Sequence, residues 1–137
     1  MTRRVFSLAL GGLMTAAAQQ RDPKVEAARR RLMDASRALQ AGNAGLFLSF
    51  FDRKRLVDFG TLREWIRALT EQRDVASSVD VLAEDLAGET VKLQVDWILQ
   101  ITPARQPGAV ETRQATIEVE MDGPQIVGVS SINLFRP

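Results

Sequence analysis

The side chains that could move a proton in this sequence are limited to carboxylates, lysines and arginines, since it contains no histidine, cysteine or tyrosine. That composition excludes Ser-His-Asp and Cys-His catalysis, disulfides and most zinc sites, and we expect neither a metal nor a cofactor. One carboxylate, Asp58, is a weak candidate base, although an Asp in such a position commonly serves a turn or the start of a helix. A second, Asp96, neighbours Trp97 on a strand but has the opposite parity, which places it on a solvated face.

Aromatic residues form the other group with a potential functional role. Phe47, Phe50 and Phe51 lie within five positions, and Trp65 and Trp97 are the two tryptophans. Large apolar side chains of this kind usually form a core, but they also line ligand pockets. We therefore name Phe47, Phe50, Trp65 and Trp97 as candidate ligand-binding residues, with core packing as the alternative.

The charge balance argues against a polyanionic partner. The net charge is +1 over 137 residues, and the two short basic runs are residues 29–31 and 53–55. The first run falls mostly off the apolar stripe of a predicted helix and is typical of a solvated face. A nucleic-acid-binding protein of this size usually has a more basic surface, so we expect no nucleic acid.

Residues 1–18 are typical of an export signal. Arg3 and Arg4 precede a mostly apolar stretch that ends in small residues, with a cleavage position between Ala18 and Gln19. The stretch is shorter than the roughly 20 residues that span a bilayer, so we expect no membrane anchor. The paired arginines fit a twin-arginine signal, and a Sec signal that contains two arginines is equally compatible. We expect a periplasmic or secreted protein with one domain over residues 19–137.

The first half of that domain predicts three helices. Asp22 and Pro23 suit the start of the first, its apolar stripe extends to Leu39, and Gly42 suits its end. Asn43 suits the cap of a short second helix. Residues 61–64, Thr-Leu-Arg-Glu, match a capping box for a third helix that extends to about residue 73, after a linker over residues 53–60.

The second half predicts about four antiparallel strands. Residues 91–101 alternate strictly between apolar odd positions and mostly polar even positions, which indicates a strand with one buried face. Further strands are predicted at residues 78–84, 110–121 and 126–135. The last of these changes phase, which predicts either a bulge at residues 130–131 or burial on both faces.

This order of elements resembles the NTF2-like superfamily, in particular its SnoaL-like and ketosteroid-isomerase-like members. The residues that carry the resemblance are 39–44 (Leu-Gln-Ala-Gly-Asn-Ala), Leu46-Phe47, residues 50–52 and the closing stretch 123–135. The resemblance implies an α+β cone in which three N-terminal helices pack on a curved antiparallel sheet, with a pocket at the open end. It also implies pocket walls that include Ala35, Val95 and Ile117 together with the candidate aromatic residues.

Isomerases of this fold use an Asp as the catalytic base. The resemblance implies that Asp58 lies near the position of that base. The same isomerases use a Tyr in the oxyanion hole, and this sequence has none. The leading hypothesis is therefore an exported, non-catalytic domain that binds a small apolar ligand or a protein partner. The alternatives are a SnoaL-like or ketosteroid-isomerase-like enzyme with an Asp base, and a structural module that forms a homodimer through the outer face of the sheet.

Overall fold

The computed structural model describes residues 22–137. The predicted export signal, with its basic residues and cleavage position, lies outside the described residues and stays a prediction. Three α-helices come first: α1 (Pro23–Gln40), α2 (Ala44–Ser49) and α3 (Phe59–Glu71). Four strands follow, β1 (Arg73–Ala87), β2 (Thr90–Pro103), β3 (Glu111–Asp122) and β4 (Gln125–Val129), and the last element is a short 3-10 helix, Asn133–Phe135.

The α1 and α2 boundaries follow the predicted capping signals. The Asp22 side chain accepts a hydrogen bond from the Lys24 amide at 2.7 Å, and Asn43 accepts one from the Leu46 amide at 3.0 Å. Between the two helices, Gly42 has φ of 72°, a left-handed conformation that glycine adopts without a Cβ penalty. The apolar stripe of α1 is buried as predicted.

The predicted start of α3 was wrong. The helix begins at Phe59, two residues before the predicted cap at Thr61, because the Leu62 amide already donates to the Asp58 carbonyl at 2.9 Å. Asp58 is therefore the N-cap residue, but its side chain makes no capping hydrogen bond. The helix ends at Glu71 and buries Leu62, Ile66 and Leu69.

The sheet is antiparallel, curved and open, in the order β1-β2-β3-β4. The odd residues of β2 from Val91 to Ile101 are all buried, as the alternation predicted. Residue Leu82 is an extra residue in β1, where the pairing with β2 shifts between Val81 and Ala83. A bulge of this kind bends a strand and so contributes to the curvature.

β1 is much longer than the predicted residues 78–84. Its second half, from Leu82 to Ala87, is exposed, so burial does not impose the apolar alternation that reveals a strand in sequence. No other described strand pairs with the outer edge of β1. At that edge the Ser77 amide donates to the Gln40 side chain at 3.1 Å.

A last strand is present as predicted, but its predicted extent to residue 135 was wrong. β4 ends at Val129, its extra residue is Val127 rather than residues 130–131, and the chain then turns into the 3-10 helix. Ser130 interrupts the ladder, because its hydroxyl accepts from the Glu118 amide at 2.9 Å in place of a backbone carbonyl, while its own amide still donates to the Glu118 carbonyl at 2.9 Å. The Ser131 hydroxyl then accepts from the Asn133 amide at 3.2 Å. Such local side-chain bonds compete with a continuing ladder, and the turn buries Leu134 and Phe135 together.

Candidate functional site

The interior between helices and sheet is occupied by an aromatic cluster of Phe47, Phe51, Trp97 and Phe135. Ring centroids lie 5.2 Å apart between Trp97 and Phe135, 5.6 Å between Phe47 and Phe135, and 5.1 Å between Phe47 and Phe51. Phe47 is 0% exposed, and Trp97 and Phe135 are each 1% exposed. These distances are typical of favourable tilted and edge-to-face aromatic pairs.

The polar end of Trp97 is satisfied within the protein. Its indole Nε1 donates to the Ser77 hydroxyl at 2.9 Å, and that hydroxyl lies 2.7 Å from the hydroxyl of the buried Ser36. A buried indole N–H usually finds such a partner. Two of the predicted ligand-binding residues, Phe47 and Trp97, are thus closely packed, and a ligand would reach them only if neighbouring side chains moved.

The other two candidate aromatic residues lie closer to the surface, each beside an arginine. The Arg31 guanidinium carbon is 4.1 Å from the ring centroid of the buried Phe50, and that of Arg136 is 5.5 Å from the half-buried Trp65. Both contacts are within the range of cation–π interactions. The role of all four candidates in binding stays a prediction.

The candidate carboxylates do not face the aromatic cluster. Asp58 is exposed at the start of α3. Asp96 lies on the outer face of the sheet, where it accepts two hydrogen bonds from the Gln114 amide at 2.9 and 3.1 Å. The structure therefore does not bring either of them together with the predicted ligand-binding residues.

A groove of about 480 Å³ lies between α2, the segment 50–58 and α3, and we call it the α2–α3 groove. Its apolar floor is formed by Leu48, Phe51 and Phe59, of which the first two are buried and the third is half-buried. Cationic side chains form its rim. The complete lining comprises Gly45, Leu48, Ser49, Phe51, Asp52, Arg53, Lys54, Phe59, Arg63, Arg67 and Gln125.

Hydrogen bonds to backbone groups hold the segment 50–55, which carries Arg53 and Lys54 of the rim. The Asp52 carboxylate accepts from the amides of Lys54 at 2.9 Å and Arg55 at 3.1 Å, which closes a tight turn. Two further bonds attach this segment to β4: the Asp52 amide donates to the Ile126 carbonyl and the Ile126 amide donates to the Phe50 carbonyl, both at 2.8 Å. The groove is therefore anchored to the sheet.

The rim carries Arg53, Lys54, Arg63 and Arg67. Arg63 and Arg67 are one helical turn apart on α3, and like charges at this spacing repel each other. None of the four forms an ion pair with another residue in the described part of the chain. Arg53 lies over the floor, with its guanidinium carbon 5.8 Å from the ring centroid of Phe59.

The neighbouring Arg55, unlike the four cations of the rim, forms an ion pair. Its guanidinium donates to the Asp122 carboxylate at 2.7 Å, and this hydrogen bond raises the pKa of Arg55 above its ordinary value. Asp52 is the one carboxylate in the groove lining. The groove therefore has an excess of positive charge over an apolar floor.

Sequence reasoning did not find this groove. The basic run at residues 53–55 was visible, and the i, i+4 spacing of Arg63 and Arg67 was a second signal. Nothing in the sequence showed that α3 would place Arg63 and Arg67 beside residues 53–55, since this placement depends on how α2 and α3 pack.

The outer face of the sheet has the opposite charge. Lys92 opposes Glu120, and Gln94 opposes Glu118, across β2 and β3. The outward-facing acidic residues of the first three strands are Asp74, Asp80, Asp85, Asp96, Glu118, Glu120 and Asp122. A homodimer through this face stays a prediction, and it would bring two acidic surfaces together.

No group of three or more acidic, cysteine or histidine side chains in residues 22–137 could hold a metal ion. Within the same residues, every helix is too short or too polar to cross a membrane.

Comparison with known proteins identifies the fold. No protein-family model matches the sequence, and no curated protein is significantly similar to it. Among solved structures, a conserved protein from Planctomyces limnophilus superimposes with a TM-score of 0.64 at 11% identity, covering 75% of this chain and 90% of that one. The beta subunit of benzoate 1,2-dioxygenase from Burkholderia mallei gives a TM-score of 0.58 at 14% identity, covering 74% and 84%. A candidate polyketide cyclase from Xanthomonas campestris pv. campestris gives 0.50 at 12%, covering 77% and 89%.

The chain therefore has the NTF2-like fold, an α+β cone, and the fold that the sequence resemblance implied is confirmed. At these identities the likeness defines the fold alone, because one fold supports many unrelated activities.

Proposed function

We propose that this protein is an exported, non-catalytic NTF2-like domain that binds a small molecule with an apolar body in the α2–α3 groove. The observation that carries the proposal is the groove itself, with about 480 Å³ of space over a floor of Leu48, Phe51 and Phe59. Ligand pockets commonly occupy about 300–1,000 Å³ and combine an apolar lining with a few polar groups.

The aromatic cluster packs against the buried side of the groove floor. Phe51 lines the groove and packs on Phe47, which in turn contacts Phe135. A floor held by buried rings is rigid, and a rigid site loses less entropy when it binds. This arrangement gives the predicted residue Phe47 a supporting role instead of direct contact with the ligand.

A binding role without catalysis is supported by the surroundings of Asp58 and Asp52. Asp58 is exposed and does not line the groove, while the Asp52 carboxylate is already bonded to two backbone amides. A general base must lie within hydrogen-bond reach of the proton that it removes. Turnover of any substrate by the purified protein that is lost in Asp58→Ala would overturn this part of the proposal.

Export is proposed from the sequence of residues 1–18. Native mass spectrometry of protein isolated from the periplasm should give the mass of a chain that begins at Gln19. The same spectrum would report the oligomeric state and any retained ligand. A mass that includes Met1 would contradict export with cleavage.

Binding in the groove can be tested with an uncharged fluorescent probe, N-phenyl-1-naphthylamine. Gly45 lies in the groove lining, and a Cβ there would meet only the Asn43 side-chain oxygen at 3.9 Å, so Gly45→Leu fills the groove without a clash with the backbone. Gly60→Leu is the matched control, because Gly60 also lies in a helix, has nothing within 4 Å and is not part of the lining.

We expect the wild-type protein and Gly60→Leu to bind the probe and Gly45→Leu to bind it at least about tenfold more weakly, which corresponds to about 1.4 kcal/mol. Absence of binding to the wild-type protein, or equal binding by both variants, would contradict the proposed site.

A further inference from the structure

We infer that the ligand of the α2–α3 groove is an amphipathic anion, a small soluble molecule with an apolar body and one anionic group such as a carboxylate or sulfonate. This inference rests on the proposed function and adds the chemical class of the ligand. It is based on the charge of the rim, a feature independent of the apolar floor.

The rim has unbalanced positive charge in the free protein. Arg53, Lys54, Arg63 and Arg67 have no ion-pair partner within the described residues, whereas Arg55, next in sequence to Lys54, is paired with Asp122. The Asp52 carboxylate is the single acidic group of the lining and is turned toward the Lys54 and Arg55 amides. An anion bound among these cations would relieve their mutual repulsion.

The position of the charges relative to the floor defines the shape of the ligand. Arg53 lies over the Phe59 ring, so a charge near its guanidinium is also adjacent to the apolar surface. A ligand that satisfies both features carries its anionic group at one end and an apolar body at the other. Guanidinium groups suit such a head group, because they donate bidentate hydrogen bonds to planar carboxylates.

A polyanion fits these observations less well. The groove holds about 480 Å³, and its floor consists of leucine and phenylalanine side chains that a phosphate backbone would not contact favourably. The remainder of the molecule includes an acidic sheet face that would repel an extended polyanion. A short ligand with one charge matches both the size and the composition of the site.

The test compares two probes that differ by one anionic group, 1-anilinonaphthalene-8-sulfonate and the uncharged N-phenyl-1-naphthylamine. Each is titrated against the purified wild-type protein and against the double variant Arg63→Gln/Arg67→Gln, in which glutamine preserves helix propensity. The control is Arg30→Gln/Arg105→Gln. It changes the net charge equally at two exposed arginines that lie outside the groove and make no ion pair with another described residue.

We expect Arg63→Gln/Arg67→Gln to weaken binding of the sulfonate about tenfold and binding of the uncharged probe less than about twofold, since two partly exposed charge contacts contribute about 1.4 kcal/mol together. The control should change neither affinity by more than about twofold. Binding of the sulfonate should also weaken with added salt. Decanoate should displace the sulfonate probe, and 1-decanol should displace it more weakly.

The outcomes separate this inference from the proposed function. If the uncharged probe binds in the groove and the sulfonate binds no better, or if both double variants behave alike, the inference fails while the proposed function stands. If neither probe is sensitive to Gly45→Leu, the proposed function fails. If the protein sediments with phosphatidylglycerol vesicles and decanoate does not displace the probe, the ligand is a membrane surface and the inference is overturned. Far-UV circular dichroism of each variant confirms that it is folded.

Discussion

Phe135 should contribute a large part of the stability of this domain, although it lies almost at the end of the described chain. The side chain is 1% exposed, and its ring packs on Trp97 at 5.2 Å and Phe47 at 5.6 Å. Truncation of such a buried Phe to Ala typically costs about 3–5 kcal/mol. With a urea dependence of about 1.5–2 kcal/mol per molar, a loss of about 4 kcal/mol lowers the unfolding midpoint by about 2 M.

The same substitution distinguishes the observed 3-10 helix from a continued β4. In a continuous strand with Ile132 and Leu134 facing inward, Phe135 would face outward, and Phe135→Ala would change stability by less than about 0.5–1 kcal/mol. Urea unfolding followed by tryptophan fluorescence and far-UV circular dichroism measures the difference. Asn133→Ala is the control, since Asn133 is exposed in the same turn. A midpoint for Phe135→Ala close to that of the control would refute this packing.

Three further predictions concern local interactions. Asn43→Ala should cost about 0.5–2 kcal/mol through loss of the α2 cap, whereas Asp58→Ala should cost much less because its side chain makes no capping bond; urea midpoints of the two variants test the contrast. Ser77→Ala should cost about 1–3 kcal/mol and shift the emission of Trp97, whose indole N–H would lose its acceptor, and unchanged emission would contradict this hydrogen bond. The hydrogen bond that Arg113 donates to Glu111 lowers the pKa of that carboxyl. The contribution of this bond to the free energy of unfolding is therefore fully present above the unfolded-state pKa and is lost as the pH falls through the folded-state pKa. Glu111→Gln should therefore lower the free energy of unfolding at neutral pH by less than about 1 kcal/mol and have no effect in acid, and an equal effect at both pH values would contradict the assignment.

The sequence predicted those parts of the fold in which burial or capping leaves a local pattern. The strict alternation of β2 predicted its inward face correctly because one side of that strand is fully buried. The Asp22 and Asn43 caps and the Gly42 turn were predicted correctly because each depends on residues close together in sequence.

Apart from the start of α3, the errors occur where distant contacts decide the structure. Ile132 and Leu134 alternate as strand residues do, but β4 ends before them, where the Ser130 hydroxyl replaces a backbone carbonyl as the acceptor of the Glu118 amide. The second half of β1 is exposed and therefore lacks an apolar pattern, and its pairing with β2 defines it instead. The α2–α3 groove depends on how two helices and a turn pack, and no single stretch of sequence contains it.

The outer edge of β1, with which no other described strand pairs, affects how the protein behaves in concentrated solution. An exposed strand edge can pair with the same edge of another molecule, and here Leu82 and Leu86 add exposed apolar surface beside it. Asp80 and Asp85, whose charges repel a second copy of the strand, lie along the same segment. Removal of these two charges in Asp80→Asn/Asp85→Asn should therefore lower colloidal stability, and the first aggregates should form by β1-to-β1 pairing.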